Sequence, residues 1–446
     1  MGLETFIFRR YLGSPRQDRS ISVITRISIF GVALGVMTLI VVLSVMNGFE
    51  RDLRAAIQGA NAHLTLYKFG TKGLVYEEGS PLLSKLLAEP QVKAVSPFTT
   101  NQALMMGPGR PQGSMIKGID PKLEPAVTQM DFFIRTRLFE VKRDNSQRSN
   151  NEDEIRVARQ ILAALAPSDK EWFDEDGQKK VSHLAGVILG SQLAKNLGVG
   201  IGEVVTLMSP EERLTPMGAM PRAKRFRVEG FFESGIMGYD EILAFIDLQV
   251  AQNLFKMPGQ VTGLSVRLEN GDQADEVKAK LADSFEFPYA LSSWTEQNRN
   301  LFAVFRLEKI GLALILTLII LIAAFNIISS LVLLVVEKSR DIAILKAMGA
   351  KNSSIKRIFV YQGTVIGLAG TLLGMVLGLA LCWVISSFDV IDIPPGVYVG
   401  NRIPMYVESW QIMVIALVSL LICFSVTLVP SQKASALDPV EGLKHD

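Results

Sequence analysis

Four stretches of this chain contain no Asp, Glu, Lys or Arg: Ile27–Met46, Ile310–Val336, Ile358–Ile385 and Ile412–Val429. Each reaches at least about 18 residues, the length at which a helix crosses ~30 Å of hydrocarbon. A single charge at the centre of a span costs roughly 2.5–3.5 kcal/mol on insertion scales, so four uncharged runs in one chain are a membrane signature. Between the first two lies Asn47–Lys309, more than half of the sequence, with the mixed composition of a soluble domain. The pattern predicts an integral membrane protein with four transmembrane α-helices and a large extramembrane α+β domain between helices 1 and 2.

Composition otherwise mostly excludes. Net charge is +2 and no polybasic tract occurs, which gives no reason to expect nucleic acid. The first run is too long for the apolar core of a signal peptide, and Ser44–Phe49 offers no small-x-small cleavage site, so it is expected to stay as an anchor. Cys382 and Cys423 both fall inside apolar runs; the external domain has no cysteine and is large enough to bury a core without a disulfide. His63, His183 and His445 are scattered without metal-ligand spacing, and no metal site is expected.

Basic residues set the orientation. Arg9, Arg10, Arg16, Arg19 and Arg26 precede the first run, and Lys338, Arg340, Lys346, Lys351, Lys356 and Arg357 follow the second. The 386–411 loop has only Arg402. The positive-inside rule then places segment 1–26, loop 337–357 and tail 430–446 in the cytoplasm, and the large domain outside. Arg306 and Lys309 run against this, but a long domain translocates largely regardless of charge.

Within the external domain, Ala62–Tyr67 and Val92–Thr99 read as strands flanking a helical Pro81–Ala88. Near the far end, Val261–Leu268 and Pro288–Ser292 read as strands around an amphipathic Gln273–Ser284. Two strand–helix–strand units, within 47–99 and 226–294, suggest one α+β layer built from both ends, with 100–225 as a β-rich insertion. Arg143–Lys180 is dense in charge and turn formers, and is expected as a peripheral elaboration with mobile ends and one helix, Glu154–Ala166, with Asn151 and Glu154 spaced as a capping box. Thr295–Lys309 has neither Gly nor Pro and predicts a rigid helical stalk into the second span.

No GxxxxGK[ST], HExxH, GxSxG or zinc spacing occurs, so the chain reads as non-enzymatic and binds no cofactor of its own. Gly363, Gly367, Gly370, Gly374 and Gly378 in the third span read as a close helix-packing face. Asn326, Ser329 and Ser330 in the second predict interhelical hydrogen bonds. Glu337-Lys338-Ser339-Arg340-Asp341 leads into a short helix with Ile342, Leu345 and Met348 on one face and Gly349 closing it; Ser353 or Ser354 can cap the third span. Such a helix can lie on lipid or dock into a partner's groove. Ser209–Phe226 reads as an exposed hairpin, with apolar Leu214, Met217 and Met220 at a tip built on Thr215, Pro216, Gly218 and Pro221, beside basic Arg222, Lys224 and Arg225. It suits an adaptable binding surface, or is an ordinary solvated hairpin.

The stretch AAFNIISSLVLLVVEKSRDIAILKAMGAKNSSIKRIFVYQG resembles the signature of lipoprotein-releasing ABC transporter permeases, the LolC/LolE family. LGVMTLIVVLSVMNGFERDL, GVILGSQLAKNLGV, LTPMGAMPRAKRFRV and PSQKASALDPVEGL are similar to the same family, while Arg143–Lys180 departs from its pattern. The resemblance implies a periplasmic domain with a porter-like part and an inserted β-rich part, in the inner membrane of a bacterium. It implies that Glu337, Lys338, Asp341, Ile342, Ile344, Leu345, Lys346, Met348 and Gly349 form a coupling helix docked into a cytoplasmic ATPase dimer, where ATP and magnesium are bound. It further implies that the TPMG loop hooks a periplasmic lipoprotein carrier, and that a second permease, itself or a related chain, completes the transporter. ATP-driven motion would then pass through the stalk to the periplasmic domain. The expected function is extraction of lipoproteins from the outer leaflet and their transfer to the carrier. An apolar site for the lipid anchor is expected where Val42, Val45, Met46 and Phe49 face Phe302 and Phe305. The alternatives are an efflux-type permease driving a periplasmic adaptor, or a signalling scaffold acting on an envelope enzyme.

Overall fold

The computed structural model describes residues 19–70, 73–77, 79–136, 152–173, 179–215, 218–388 and 403–436, except for the side chains of 19–24, 152, 168–183, 212–220, 237, 323 and 326. The chain forms two compact units, one of residues 1–50, 303–390 and 403–446, the other of 51–302 and 391–402.

Four helices carry the apolar runs: Arg19–Ala60, Arg299–Glu337, Asn352–Ser387 and Ser409–Ala436. All four are long and apolar enough to cross a membrane. The third span is the one the others need to approach. A Cβ added at Gly363 would lie 1.9 Å from Thr427 Cγ2, and one at Gly367 2.6 Å from Cys423 Cβ, both on the fourth span. Further along, Gly370 meets Ile29 and Val32, Gly374 meets Ala33 and Val36, and Gly378 meets Met37 and Ile40, all on the first span. Absent side chains let both neighbours pack against one helix. Hydroxyl pairs add polar ties: Ser28 to Ser330 at 2.7 Å and Thr371 to Ser419 at 2.9 Å, all four side chains buried within the bundle. Ser329 does not share this role, since its hydroxyl donates to Phe325 C=O in its own helix. The Asn326 side chain lies outside the described residues.

Gly374→Val is expected to destabilise the bundle by about 1–3 kcal/mol, because the added carbon meets Ala33 C=O, a backbone atom that cannot swing aside. Gly311→Ala, where an added carbon meets nothing within 4 Å, is expected to leave the protein as stable as before. Thermal denaturation in detergent compares the two.

The external unit is organised around one eleven-stranded mixed sheet. Its strands are β1 (Leu64–Lys68), β3 (Val92–Met106), β4 (Gln112–Ile119), β5 (Ile134–Arg135), β6 (Ser168–Phe173), β7 (Lys179–Gly190), β8 (Val204–Thr215), β9 (Gly218–Phe232), β10 (Leu243–Asp247), β12 (Gly263–Leu268) and β13 (Tyr289–Ser293); β2 (Leu74–Val75) and β11 (Gln260–Val261) pair apart from it. The order β13-β1-β12-β3 joins both ends of the domain in one layer, as the two strand–helix–strand units predict. Leu64, Leu66, Leu264, Val266 and Trp294 bury its core.

The expected β-rich insertion is not separate from this layer. β3 pairs with β12 through Phe98, with β4 from Phe98 to Met105, and with β8 from Leu104 to Met106, so the sheet runs on without a break. Helices Ser191–Leu197 and Leu248–Leu254 accompany the core of Val187, Leu207, Phe226 and Val228, while Glu152–Ala163 packs with Ile188, Phe232 and Phe245. The helix expected at Glu154–Ala166 thus occupies Glu152–Ala163; its proposed Asn151 cap, with all of Arg143–Asn151, lies outside the described residues.

The stalk departs from expectation. Ser293 and Glu296 form a capping box on a short helix, Trp294–Gln297, and Asn298 interrupts the helical run before Arg299. The uninterrupted helix therefore starts at Arg299 rather than Thr295.

Candidate coupling and carrier-binding sites

The segment between the second and third spans folds as a short helix, Ser339–Ala347. Its end is a Schellman turn. Gly349 N–H donates to Lys346 C=O and Ala350 N–H to Leu345 C=O, with Gly349 at φ 97°, a backbone only glycine adopts cheaply. Lys346 donates from Nζ to Ser435 C=O at 2.7 Å, placing a cation on the last turn of the fourth span, where the helix dipole favours it. Ile342 is 3% exposed in the bundle core. These three contacts fix the helix's rotation.

That rotation corrects the face read from the sequence. Ile342, Leu345 and Met348 do not share an outward stripe: Ile342 is buried and Leu345 half-buried. The outward apolar pair is Ile344, 43% exposed, and Met348, 77% exposed, one turn apart. Asp341 and Glu337 are exposed beside them, while Lys338 sits 3.8 Å from Asp341. No serine caps the third span; its helix begins at Asn352 with Lys351 at the cap position and no side-chain bond, and Ser353 and Ser354 already lie in the first turn.

In the external domain, β8 and β9 form a long antiparallel hairpin. β8 touches β3 only through Thr206–Met208, and β9 touches β7 only from Phe226 onward. A register shift between Ser209 and Glu212 marks the point where the pair leaves the sheet. Beyond it, among the described residues, Glu212–Thr215 pairs solely with Gly218–Pro221. Pro216, Met217 and the side chains of Leu214, Thr215, Gly218 and Met220 lie outside the described residues; Pro221 is exposed.

The three basic residues beside this ribbon separate. Alternation along β9 turns Arg222 and Lys224 to the face that carries Phe226 and the helix Leu248–Leu254. Arg222 Nη1 donates to Asn253 C=O at 3.2 Å, and the Lys224 ammonium lies 5.8 Å from the Phe226 ring centroid. Burial pushes the Lys224 pKa down, with Asp247 partly opposing it. Arg225 points to the other face and is exposed. Only this third residue is positioned as an outward charge.

Among the residues expected around a lipid anchor, Phe302 is committed elsewhere: it meets Trp294 edge-on, ring centroids 5.5 Å apart. Val42, Val45, Met46, Phe49 and Phe305 are half-buried. An open apolar groove on the second span is lined instead by Ala313, Leu314, Thr317, Leu318 and Leu321, with Ile422 of the fourth. Sequence reading missed the polar ties at the outer ends of the spans. Glu50 pairs with Lys309, and Asn47 Nδ2 donates to Gln411 Oε1 at 2.7 Å. Gly48 lies so close to Pro404 that a Cβ would sit 2.2 Å from its carbonyl oxygen. Each is a single residue at a span boundary, and no spacing pattern announces it.

Two family models match: the MacB-like periplasmic core domain over residues 25–284 and the FtsX-like permease C-terminal domain over 313–439. The chain is 32% identical to a lipoprotein-releasing system transmembrane protein LolC of Xylella fastidiosa, covering 100% of this chain and 99% of that one. It is 34% identical to the protein of that name from Neisseria meningitidis serogroup B, again over 100% and 99%. Identity to a lipoprotein-releasing system transmembrane protein LolE of Haemophilus influenzae is 26% over 99% of each. With four candidate spans, a mixed α/β domain between the first two, and identity of this level from end to end, the chain belongs to the family of lipoprotein-releasing system transmembrane proteins.

Proposed function

We propose that this chain is the permease subunit that draws lipid-anchored proteins from the outer leaflet of a bacterial inner membrane and passes them to a soluble periplasmic carrier. The observation that carries this reading is the β8–β9 ribbon beyond Ser209, which among the described residues pairs only with itself and whose two strands are joined through the TPMG sequence. The energetic task explains the parts required. At ~0.8 kcal/mol per buried methylene, a multiply acylated anchor gives up tens of kcal/mol on leaving the bilayer. A passive permease cannot supply that. Work enters from a separate ATPase dimer, which holds ATP and magnesium and docks on Ile344 and Met348. The first and second spans carry movement to the periplasmic domain, and a second permease, identical or related, completes the assembly. Both termini lie in the cytoplasm.

Reconstitution tests the whole. Liposomes carrying the permease pair, the ATPase and an acylated lipoprotein are expected to release that lipoprotein only with ATP and carrier together. Steady ATP hydrolysis with the lipoprotein left in the membrane, and a small amphiphile exported instead, would favour an efflux permease.

A further inference from the structure

We infer that Arg54 is a positioning residue that braces the joint at Asn298, so that movement of the second span enters the outer sheet without being lost in a bend. The inference rests on the transmission reading proposed above, and identifies where in the chain that transmission is most vulnerable.

The joint is a break of one residue. Asn298 separates the short helix Trp294–Gln297 from the long helix Arg299–Glu337, with φ −105° and ψ 17°. Its backbone N–H and its side-chain amide both donate to Trp294 C=O, at 3.1 and 2.8 Å. Trp294 belongs firmly to the external domain: it is fully buried, and its indole N–H donates to Gly271 C=O at 2.8 Å. Phe302 belongs to the first turn of the long helix and meets the Trp294 ring at 81°. One aromatic ring therefore stands on each side of the interruption.

Arg54 touches both. Its guanidinium carbon lies 5.4 Å from the Trp294 ring centroid and 5.3 Å from that of Phe302. Nη1 is 3.7 Å from Asp272 Oδ1, and Gln58, one turn along the same helix, donates to that same oxygen at 2.9 Å. The brace thus originates on the first-span helix and ends on the turn Gly271–Gln273. A planar guanidinium can stack on rings and pair with a carboxylate at once, whereas an ammonium is a compact point charge. Burial lowers the His63 pKa to about 4 and keeps the ring neutral, with Nδ1 accepting from Leu268 N–H, so His63 itself brings no positive charge to Asp272 at neutral pH.

The test uses the assembled transporter in liposomes, with Trp172, Trp383 and Trp410 and every tryptophan of the other proteins present replaced by Phe so that emission reports on Trp294. Three quantities are read: ATP hydrolysis, lipoprotein release to carrier, and the change in Trp294 emission on nucleotide addition. Arg54→Gln is expected to leave hydrolysis near wild type and to lower release about ten-fold, within the range by which residues on a coupling route alter it. Its nucleotide-dependent emission change should vanish, and Arg54→Lys should recover part of both. Because a residue important only for folding would lower the thermal midpoint, that midpoint is measured alongside. If Arg54→Gln lowers it, Phe302→Leu, which keeps the ion pair and removes one ring, must reproduce the uncoupling in a stable protein. Wild-type release and emission response in both Arg54→Gln and Phe302→Leu would overturn the brace. A wild-type transporter that releases lipoprotein with no emission change at Trp294 would overturn it as well, while one that hydrolyses ATP without releasing lipoprotein would overturn the transmission reading itself.

Discussion

Replacing Ile344 with Asp is expected to abolish lipoprotein release while the chain remains in the membrane. Ile344 is 43% exposed on a helix whose inner side is already fixed by Ile342 and Lys346, so the substitution leaves the bundle intact. It would place an unpaired carboxylate in the proposed contact with the ATPase, and loss of a hot-spot side chain costs about 2–4 kcal/mol. Co-purification of the ATPase should fall accordingly, together with stimulated hydrolysis. Met348→Asp, further out on the same face, should behave alike. Ile342→Asp makes the contrast: its charge would enter the core at 3% exposure, and the expected result is loss of folded protein from the membrane. If Ile344→Asp and Met348→Asp both keep the ATPase bound and active, the helix rests on lipid and coupling occurs elsewhere.

Deleting Thr215–Pro221 is expected to stop transfer without disturbing anything upstream of it. Every backbone pair that the deletion removes, from Thr215↔Gly218 to Glu212↔Pro221, lies within the free ribbon. The sheet keeps its pairs with β3 and β7, so the external domain should fold with an unchanged melting point. ATP hydrolysis should continue, while carrier binding is lost and lipoprotein stays with the liposomes. Charge reversal at Arg225 should weaken carrier binding by less, and chiefly at low salt, as expected for an exposed charge at an interface rim. Reversal at Arg222 or Lys224 should instead disturb the packing of the Leu248–Leu254 helix. Release at the wild-type rate from the deletion variant would mean that the carrier is received on another surface.

The spans were the most legible part of the fold, because the cost of a charge in hydrocarbon leaves a direct imprint on composition. Their glycines were legible as a packing face, but not the division of that face between the fourth span and the first. That division depends on how neighbouring helices are placed, which a spacing of three or four residues does not encode. In the coupling segment, the helix and its glycine stop were readable from local chemistry, whereas its rotation was not. Lys346 was read only as one of the basic residues after the second span and as part of the coupling helix, yet it is held by a carbonyl 89 residues later in the chain. The same limit applied to Arg222 and Lys224: a basic cluster in sequence becomes two faces once strand alternation and a packed helix are known. Arg54 carried no signal at all, since Asp272, Trp294 and Phe302 lie more than 200 residues away.

β3 gives the external domain an unusual mechanical property. Fifteen residues long, it spans about 50 Å at ordinary strand rise, with one end laddered to β12 and the other to the base of the free ribbon. No loop intervenes between those ladders. Compliance in a folded domain resides mainly in loops and frayed ends, where backbone hydrogen bonds open at little cost. β12 covers its first half, β4 its second, and the two overlap at Phe98, so the strand is held by a ladder along its whole length and displacement of the layer holding β13 is expected to reach the ribbon. The ribbon's position is then governed by the far edge of the sheet, much as the tip of a beam follows its clamped end.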